Sequence, residues 1–234
     1  METKIIISEN AVEACTKVAT RLSLLAEIGG SVALSGGNTP KLLFKIMAEQ
    51  FANTNWSKLK FFWGDERMVC SSSAQSNYGE FYKELIISGI ITKEHVFATN
   101  YFPNSNIALQ NIESKIKHNI PYFNGLPRFN LILLGVGEDG HIASIFPNNL
   151  TSFTSKKIVE ITRHPTSMQE RITLTGSTIN NAREVLFLCT GGEKKEIIHD
   201  IIINKNINLP ATNVLPQEKL EWYIDSAAAQ KLRY

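Results

Sequence analysis

The chain has 234 residues, 43% hydrophobic and 20% charged, with a formal net charge of +2. That length suits one large α/β domain or two small ones, and the composition is that of a globular chain with a substantial core. A small charge carried by scattered lysines and arginines argues against a nucleic-acid partner, and no apolar stretch approaches the ~20 residues of a membrane helix.

Ile5 to Ile7 is a short β-rich run. Behind it Val12, Cys15, Val18, Ala19, Leu22, Leu25 and Ala26 keep a helical period that Gly29-Gly30 ends. Ser31 to Leu34 reads as a buried strand and Ser35-Gly36-Gly37-Asn38 as a turn. Thr39 then supplies an N-cap hydroxyl and Pro40 the first position of a helix carrying Leu42, Leu43, Ile46 and Met47. Leu59 to Trp63 is a strand, and the polar segment Gly64 to Asn77 follows. Asn77 with Glu80 resembles a capping box for a helix with Phe81, Leu85 and Ile86 on one face. Asn100 to Asn106 reads as a loop and Ile107 to His118 as a helix. Phe129 to Leu134, the most apolar strand, runs into a glycine-rich turn. Arg171 to Leu174 and Val185 to Cys189 are further strands, and Lys194 to Ile203 is a helix. Trp222 to Ile224 is a last strand, followed by a short Ala-rich helix. Strands alternating with helices predict a mostly parallel sheet covered on both faces. With no repeat, linker or composition break, the expectation is one domain over 1–234.

The N-terminal run lacks a basic region and a small-residue cleavage site, so no signal peptide is expected. Cys15, Cys70 and Cys189 stand far apart without a CxxC, which argues against a disulfide framework and a zinc site and for the cytosol. His95, His118, His164 and His199 show no metal-ligand spacing with each other or with His141.

Three constellations follow strands. Ser35 to Pro40 places two glycines before a helix, where backbone and dipole could meet a phosphate; a plain βα turn is the other reading. No Lys follows as in a Walker loop. Gly64-Asp65-Glu66-Arg67 puts two acids and an arginine at a strand's carboxyl end, where ligands of open sheets gather; a solvated turn would look the same. Gly135-Val136-Gly137-Glu138-Asp139-Gly140 is formally GxGxxG. Pro147, seven residues on, leaves no room for the long helix a dinucleotide needs. What remains is a turn presenting Asp139 and His141 beside a strand end, an arrangement suited to proton transfer near neutral pH. No GxSxG elbow points to a serine nucleophile. Arg171 and Lys194, near element ends, read equally as phosphate ligands or surface charges.

Taken in order, SGGNTP (35–40), GDERMV (64–69) with Ser76-Asn77, LLGVGEDGHIASIFP (133–147), RITLT (171–175), TGGEK (190–194) and LPATNVLP…WYIDSAAA (209–229) resemble the 6-phosphogluconolactonase family over nearly the whole chain. That family shares with glucosamine-6-phosphate isomerase/deaminase a Rossmann-like open α/β sheet with helices on both faces. The deaminases carry Tyr where this chain has Arg67, and Asn-Glu-Pro within Ser144 to Pro147. Asn38 replaces the usual Ser of the glycine loop, and Cys70 stands where Pro is frequent.

The resemblance implies hydrolysis of a phosphorylated sugar lactone without metal or cofactor. Gly36, Gly37, Asn38 and Thr39 would meet the phosphate, Arg171 and Lys194 would add charge, and Asp65 and Arg67 would face the substrate. His141 would be the general base, Asp139 would fix its tautomer, and N–H groups of the 135–140 turn are candidates for the oxyanion. A monomer or small homo-oligomer in the cytoplasm, with no nucleic-acid or membrane partner, completes the expectation. Two rivals remain. An isomerase or deaminase would use Asp65 to move a proton beside the carbonyl, and a sugar-phosphate sensor would use no base.

Overall fold

The computed structural model describes residues 2–232. In chain order its elements are β1 (Glu2–Ser8), α1 (Ala11–Ile28), β2 (Gly30–Leu34), α2 (Asn38–Gln50), β3 (Leu59–Trp63), β4 (Asp65–Arg67), α3 (Asn77–Phe81), α4 (Ser105–Asn119) and β5 (Tyr122–Phe123). They continue with β6 (Leu126–Pro127), β7 (Leu131–Leu134), α5 (Thr151–Thr154), β8 (Val159–Arg163), β9 (Glu170–Leu174), α6 (Gly176–Asn181), β10 (Glu184–Cys189), α7 (Lys195–Ile202) and β11 (Lys219–Asp225).

Six strands form one sheet in the order β1-β11-β10-β7-β2-β3. Every neighbouring pair is parallel. Alternate side chains feed two separate cores, because both faces are covered. Val32, Leu34, Leu131, Leu133, Leu186 and Leu188 pack with α1 and α2 on one face. Ala33, Ile132, Leu134, Val185, Phe187 and Trp222 pack with α4, α6 and α7 on the other. Phe62, Phe129 and Phe187 are buried, and truncating such a ring to Ala costs about 3–5 kcal/mol. The Rossmann-like architecture expected from the sequence is the one observed.

The element boundaries hold reasonably well, with four corrections. The helix after the first glycine loop starts at Asn38 with Gly37 in the N-cap and no side-chain cap, so Thr39 is not the cap. Its hydroxyl is instead 2.9 Å from that of Thr190. Ser76, not Asn77, caps α3, accepting from Gly79 N–H at 3.0 Å. The Ala-rich C-terminal segment forms turns rather than a helix. Arg171 to Leu174 lies not in the main sheet but in a separate antiparallel one, ordered β4-β9-β8.

That small sheet grows directly from the carboxyl end of β3. Gly64 N–H donates to the Leu34 carbonyl at 2.8 Å, and the Leu174 N–H donates to the Gly64 carbonyl at 2.7 Å. The chain thereby turns out of one sheet into the other within a single residue. Strand order reverses between β2 and β7, since β2 leads outward to β3 while β7, β10 and β11 follow on the opposite side. A crevice at such a switch point is where open α/β sheets bind ligands.

Candidate active site

The loops after β2 and β7 flank this crevice, and the small sheet walls it. They enclose a cleft of about 230 Å³ that brings together Gly36, Gly37, Asp65, Arg67, His141, Arg171 and Lys194. Seven of the residues singled out in the sequence, drawn from five separated segments, therefore line one space. Asn38 lines an adjoining recess of about 240 Å³ that shares Gly36, Gly37 and Arg67 with the cleft. Thr39 turns its hydroxyl to Thr190 and lines neither space.

The first glycine loop is shaped by contact. A Cβ on Gly36 would meet the Asn77 amide oxygen at 1.8 Å, so only glycine fits beneath Asn77. Gly37 takes φ +108, the conformation that favours glycine, and opens onto free space. Because no side chain caps α2, the partial positive charge of its N-terminus faces the ligand space. Lys194 comes from the loop after β10. Asp225 at the end of β11 holds that loop by accepting Gly191 N–H at 3.1 Å, and is itself fixed by accepting Ala228 N–H of its own segment at 2.8 Å.

In the second constellation the two acids part company. Glu66 is 3% exposed and accepts from Arg67 N–H at 2.8 Å, Asn77 N–H at 2.9 Å, Tyr78 N–H at 2.8 Å and Ser76 hydroxyl at 3.0 Å. Burial pushes its carboxyl above the usual range, opposed by those N–H groups. It is the knot tying β4 to α3, not a substrate ligand. Asp65 faces the cleft with Oδ2 accepting from the Ser144 hydroxyl at 2.6 Å and Oδ1 from the Asn77 amide at 3.3 Å. Ser144 itself is fully buried and its N–H donates to the Thr173 hydroxyl at 3.1 Å.

Arg67 and Arg171 stand opposite each other across β4 and β9. Arg67 donates Nη1 to the Gln75 carbonyl at 2.6 Å, and Arg171 donates Nη1 to the Ser144 hydroxyl at 3.4 Å. The Nε of each is buried without a partner. Burial pushes the Arg171 guanidinium below its ordinary range; Asp65 opposes that and neighbouring Arg67 adds to it. Cations left this short of acceptors suit an incoming anion.

The third constellation is a compact turn. Gly137 N–H donates to the His141 carbonyl at 2.9 Å and Gly140 N–H to the Gly137 carbonyl at 3.0 Å. Those two N–H groups are therefore already spent, which narrows the oxyanion donors expected from residues 135–140. A Cβ on Gly137 would strike the His141 ring at 2.1 Å, so the glycine lets the imidazole lie against the turn. His141 Nδ1 is 2.5 Å from Asp139 Oδ1, which also accepts the His141 N–H at 3.1 Å. The hydrogen bond from the His141 side chain holds the Asp139 carboxyl down at about 2. An ionised carboxylate only accepts, so Nδ1 carries the proton and the neutral ring keeps its lone pair on Nε2. That is the tautomer a base requires.

Sequence reasoning missed Ser144 as the brace of Asp65, Asp225 as the anchor of the Lys194 loop, and Phe146 against the His141 ring. Asp225 had a signal, an acid at the carboxyl end of a strand. Ser144 and Phe146 had only their place beside the histidine turn.

The family model described as glucosamine-6-phosphate isomerases/6-phosphogluconolactonase matches residues 7–222. A 6-phosphogluconolactonase of Haemophilus influenzae is 36% identical over 229 residues, covering 95% of this chain and 97% of its own. The crystal structure of a protein named devB superposes with a TM-score of 0.94 at 32% identity, covering 99% of this chain and 100% of that one. The 6-phosphogluconolactonase of Trypanosoma brucei superposes with a TM-score of 0.87 at 26% identity, covering 99% of both chains. With the match extending over almost its whole length, this chain belongs to the glucosamine-6-phosphate isomerase/6-phosphogluconolactonase family.

Proposed function

We propose that this chain is a 6-phosphogluconolactonase, an ester hydrolase that opens 6-phospho-D-glucono-1,5-lactone to 6-phosphogluconate in the pentose phosphate pathway, with His141 as its general base. The observation that carries the site assignment is the pairing, in one cleft, of a tautomer-fixed imidazole with two arginines that meet no carboxylate. Relatives at 34–36% identity over most of the chain bear the lactonase name.

Arg171, Lys194 and the uncapped N-terminus of α2 would hold the phosphate, with Asp65 and Arg67 facing the sugar end. The Nε2 lone pair of His141 takes a proton from water as the oxygen attacks the C1 carbonyl. The resulting tetrahedral oxyanion collapses, the ring C1–O bond breaks, and the imidazolium returns its proton to the departing oxygen. General-base assistance of this kind supplies about 10²–10⁴-fold. The ring ester is reactive enough that the scheme asks for no metal or cofactor. Among the described residues no cluster of three or more His, Cys, Asp or Glu side chains is built to hold a metal.

Asp65, the base an isomerase would need, already accepts from Ser144 and Asn77. The three free cysteines suit the cytosol this reading expects, and no described helix is long and apolar enough to cross a membrane. The deciding experiment is acid release from freshly made 6-phosphogluconolactone in weak buffer, with and without protein. A rate no faster than spontaneous opening rejects the proposal.

A further inference from the structure

Phe146 joins two imidazoles in a three-ring cluster to which the hydrolysis itself assigns no role. Its ring is 1% exposed and sits 4.9 Å, centroid to centroid, from the His141 imidazole at 46°. His164 meets the Phe146 ring edge-on at 5.4 Å and 81°. The Arg171 guanidinium stands 5.8 Å from the same ring. One phenyl group thus touches the candidate base, a candidate phosphate cation and a second imidazole.

His164 is carried by the tip of the β8–β9 hairpin. Side chains alternate along a strand, so His164 follows Glu160 and Thr162 on one face of the small sheet. Thr162 pairs with Arg171, and Arg171 with Arg67, which places His164 at the end of that cleft-side row. Its Nδ1 accepts the N–H groups of Thr166 at 3.3 Å and Ser167 at 3.2 Å, which pins the ring to its own loop. Gln169 ties the hairpin tip across to Gln75 by a 2.7 Å hydrogen bond. The second imidazole is therefore a fixed backstop and not a loose surface group.

We infer that Phe146 is a positioning residue that helps to orient the His141 imidazole, and that His164 acts through it by packing edge-on against the Phe146 ring. The inference rests on His141 being the base. Asp139 holds the Nδ1 edge of that ring and the Gly137 backbone lies against the same edge, while the Phe146 ring packs on it at a tilt. A base must be aligned with the attacking water as well as in the correct tautomer. A packed aromatic neighbour adds a further constraint without offering Nε2 a competing donor or acceptor, and an edge-on contact from a second ring helps to hold that neighbour in place.

The test uses the full chain and separates the stack from the base. His141→Ala tests the base first: a loss of at least about a hundredfold in kcat is expected, and a smaller loss overturns the reading of His141 as base on which the inference rests. His164→Ala should then lower kcat about threefold to tenfold with KM for the phosphorylated lactone held within about twofold. His164→Phe, which keeps a ring against Phe146 but gives up the Nδ1 bonds to Thr166 and Ser167, should recover at least half of that loss on a logarithmic scale. Phe146→Leu should lower kcat about tenfold or more, again with KM unchanged. His164 lies in a partly exposed loop, so its variants read out even if Phe146→Leu folds poorly. Equal behaviour of His164→Ala and His164→Phe, or a rise in KM in place of the kcat loss, overturns the inference while leaving His141 as base. Full activity in His141→Ala overturns the underlying reading itself.

Discussion

Arg67 and Arg171 are direct cross-strand partners on β4 and β9, two like charges facing each other at the edge of the same cleft. Among the described residues, neither is within ion-pair distance of a carboxylate; the exposed arginines Arg163 and Arg183, by contrast, each have one. Like charges opposite each other in an antiparallel ladder are unfavourable, and burial adds to the cost at Arg171. An arrangement that disfavours the empty protein is accounted for if an anion completes it.

Removing Arg171 should therefore damage recognition of the phosphate far more than the chemistry. Arg171→Ala is expected to raise KM for 6-phosphogluconolactone about tenfold to a hundredfold, the effect of losing a hydrogen bond to a charged group. Unphosphorylated gluconolactone should be affected much less. Lys194→Ala should show the same bias. Equal losses on both lactones would take these cations out of the phosphate site.

The His141–Asp139 pair makes a prediction about proton binding that is independent of turnover. Asp139 titrates at about 2, against an ordinary 3.8, chiefly because of its hydrogen bond from the His141 side chain. A lowered carboxyl contributes stability that is complete above about pH 4 and is lost as pH falls through 2. Half-exposed as Asp139 is, that contribution is small. In His141→Ala the bond is gone, so the Asp139 carboxyl should move up towards 3.8, as followed by carboxyl ¹³C NMR. A value still near 2 in the variant would mean that the imidazole is not what holds it.

Glu66 supplies a test of the scaffold beneath the site. Both its oxygens accept, with Arg67 and Asn77 N–H on one and Tyr78 N–H and Ser76 hydroxyl on the other. Glu66→Gln keeps the volume but turns an amide NH₂ towards N–H donors, which cannot be satisfied by rotation. The expected cost is about 1–3 kcal/mol, with a fall in Tm of about 2–4 °C per kcal/mol for a chain of this size. An unchanged Tm would show that the carboxylate knot is not what holds β4 to α3.

Most strands of the main sheet were legible because they contain an apolar run bounded by glycine or by a helical period. β2, read as Ser31 to Leu34, and β7, read two residues too long as Phe129 to Leu134, are plain examples. The small sheet was not legible. β4 is three polar residues, Asp65 to Arg67, whose extended conformation is imposed by pairing with β9 and not by any local pattern. The same limit applied to the site. Glycines and a histidine at strand ends announced themselves, and Gly36 is explained by one close contact with Asn77. What Ser144 and Phe146 do depends on partners 79 and 18 residues away, Asp65 and His164, which no local reading brings together.

The last prediction separates the two chemistries of the family. Isomerisation with deamination must remove a proton from C2 of glucosamine 6-phosphate, so solvent deuterium would enter that carbon. Lactone hydrolysis breaks no C–H bond and needs only a water, a base and a place for the oxyanion at C1. Asp65 is the acid in the cleft that could serve the first reaction, yet its Oδ2 accepts a 2.6 Å hydrogen bond from fully buried Ser144 and its Oδ1 one from Asn77. A carboxylate held by two such bonds is not free to swing towards a substrate carbon. His141, with Nδ1 committed to Asp139 and Nε2 open, has the opposite disposition. The expected outcome is acid release from 6-phosphogluconolactone well above the spontaneous rate, no ammonia from glucosamine 6-phosphate, and no deuterium at C2. Ammonia formed at a comparable rate would overturn the lactonase assignment while leaving fold and phosphate site standing. Ser144→Ala sharpens the comparison: if the hydroxyl merely braces Asp65, lactone hydrolysis should persist and C2 exchange should still be absent.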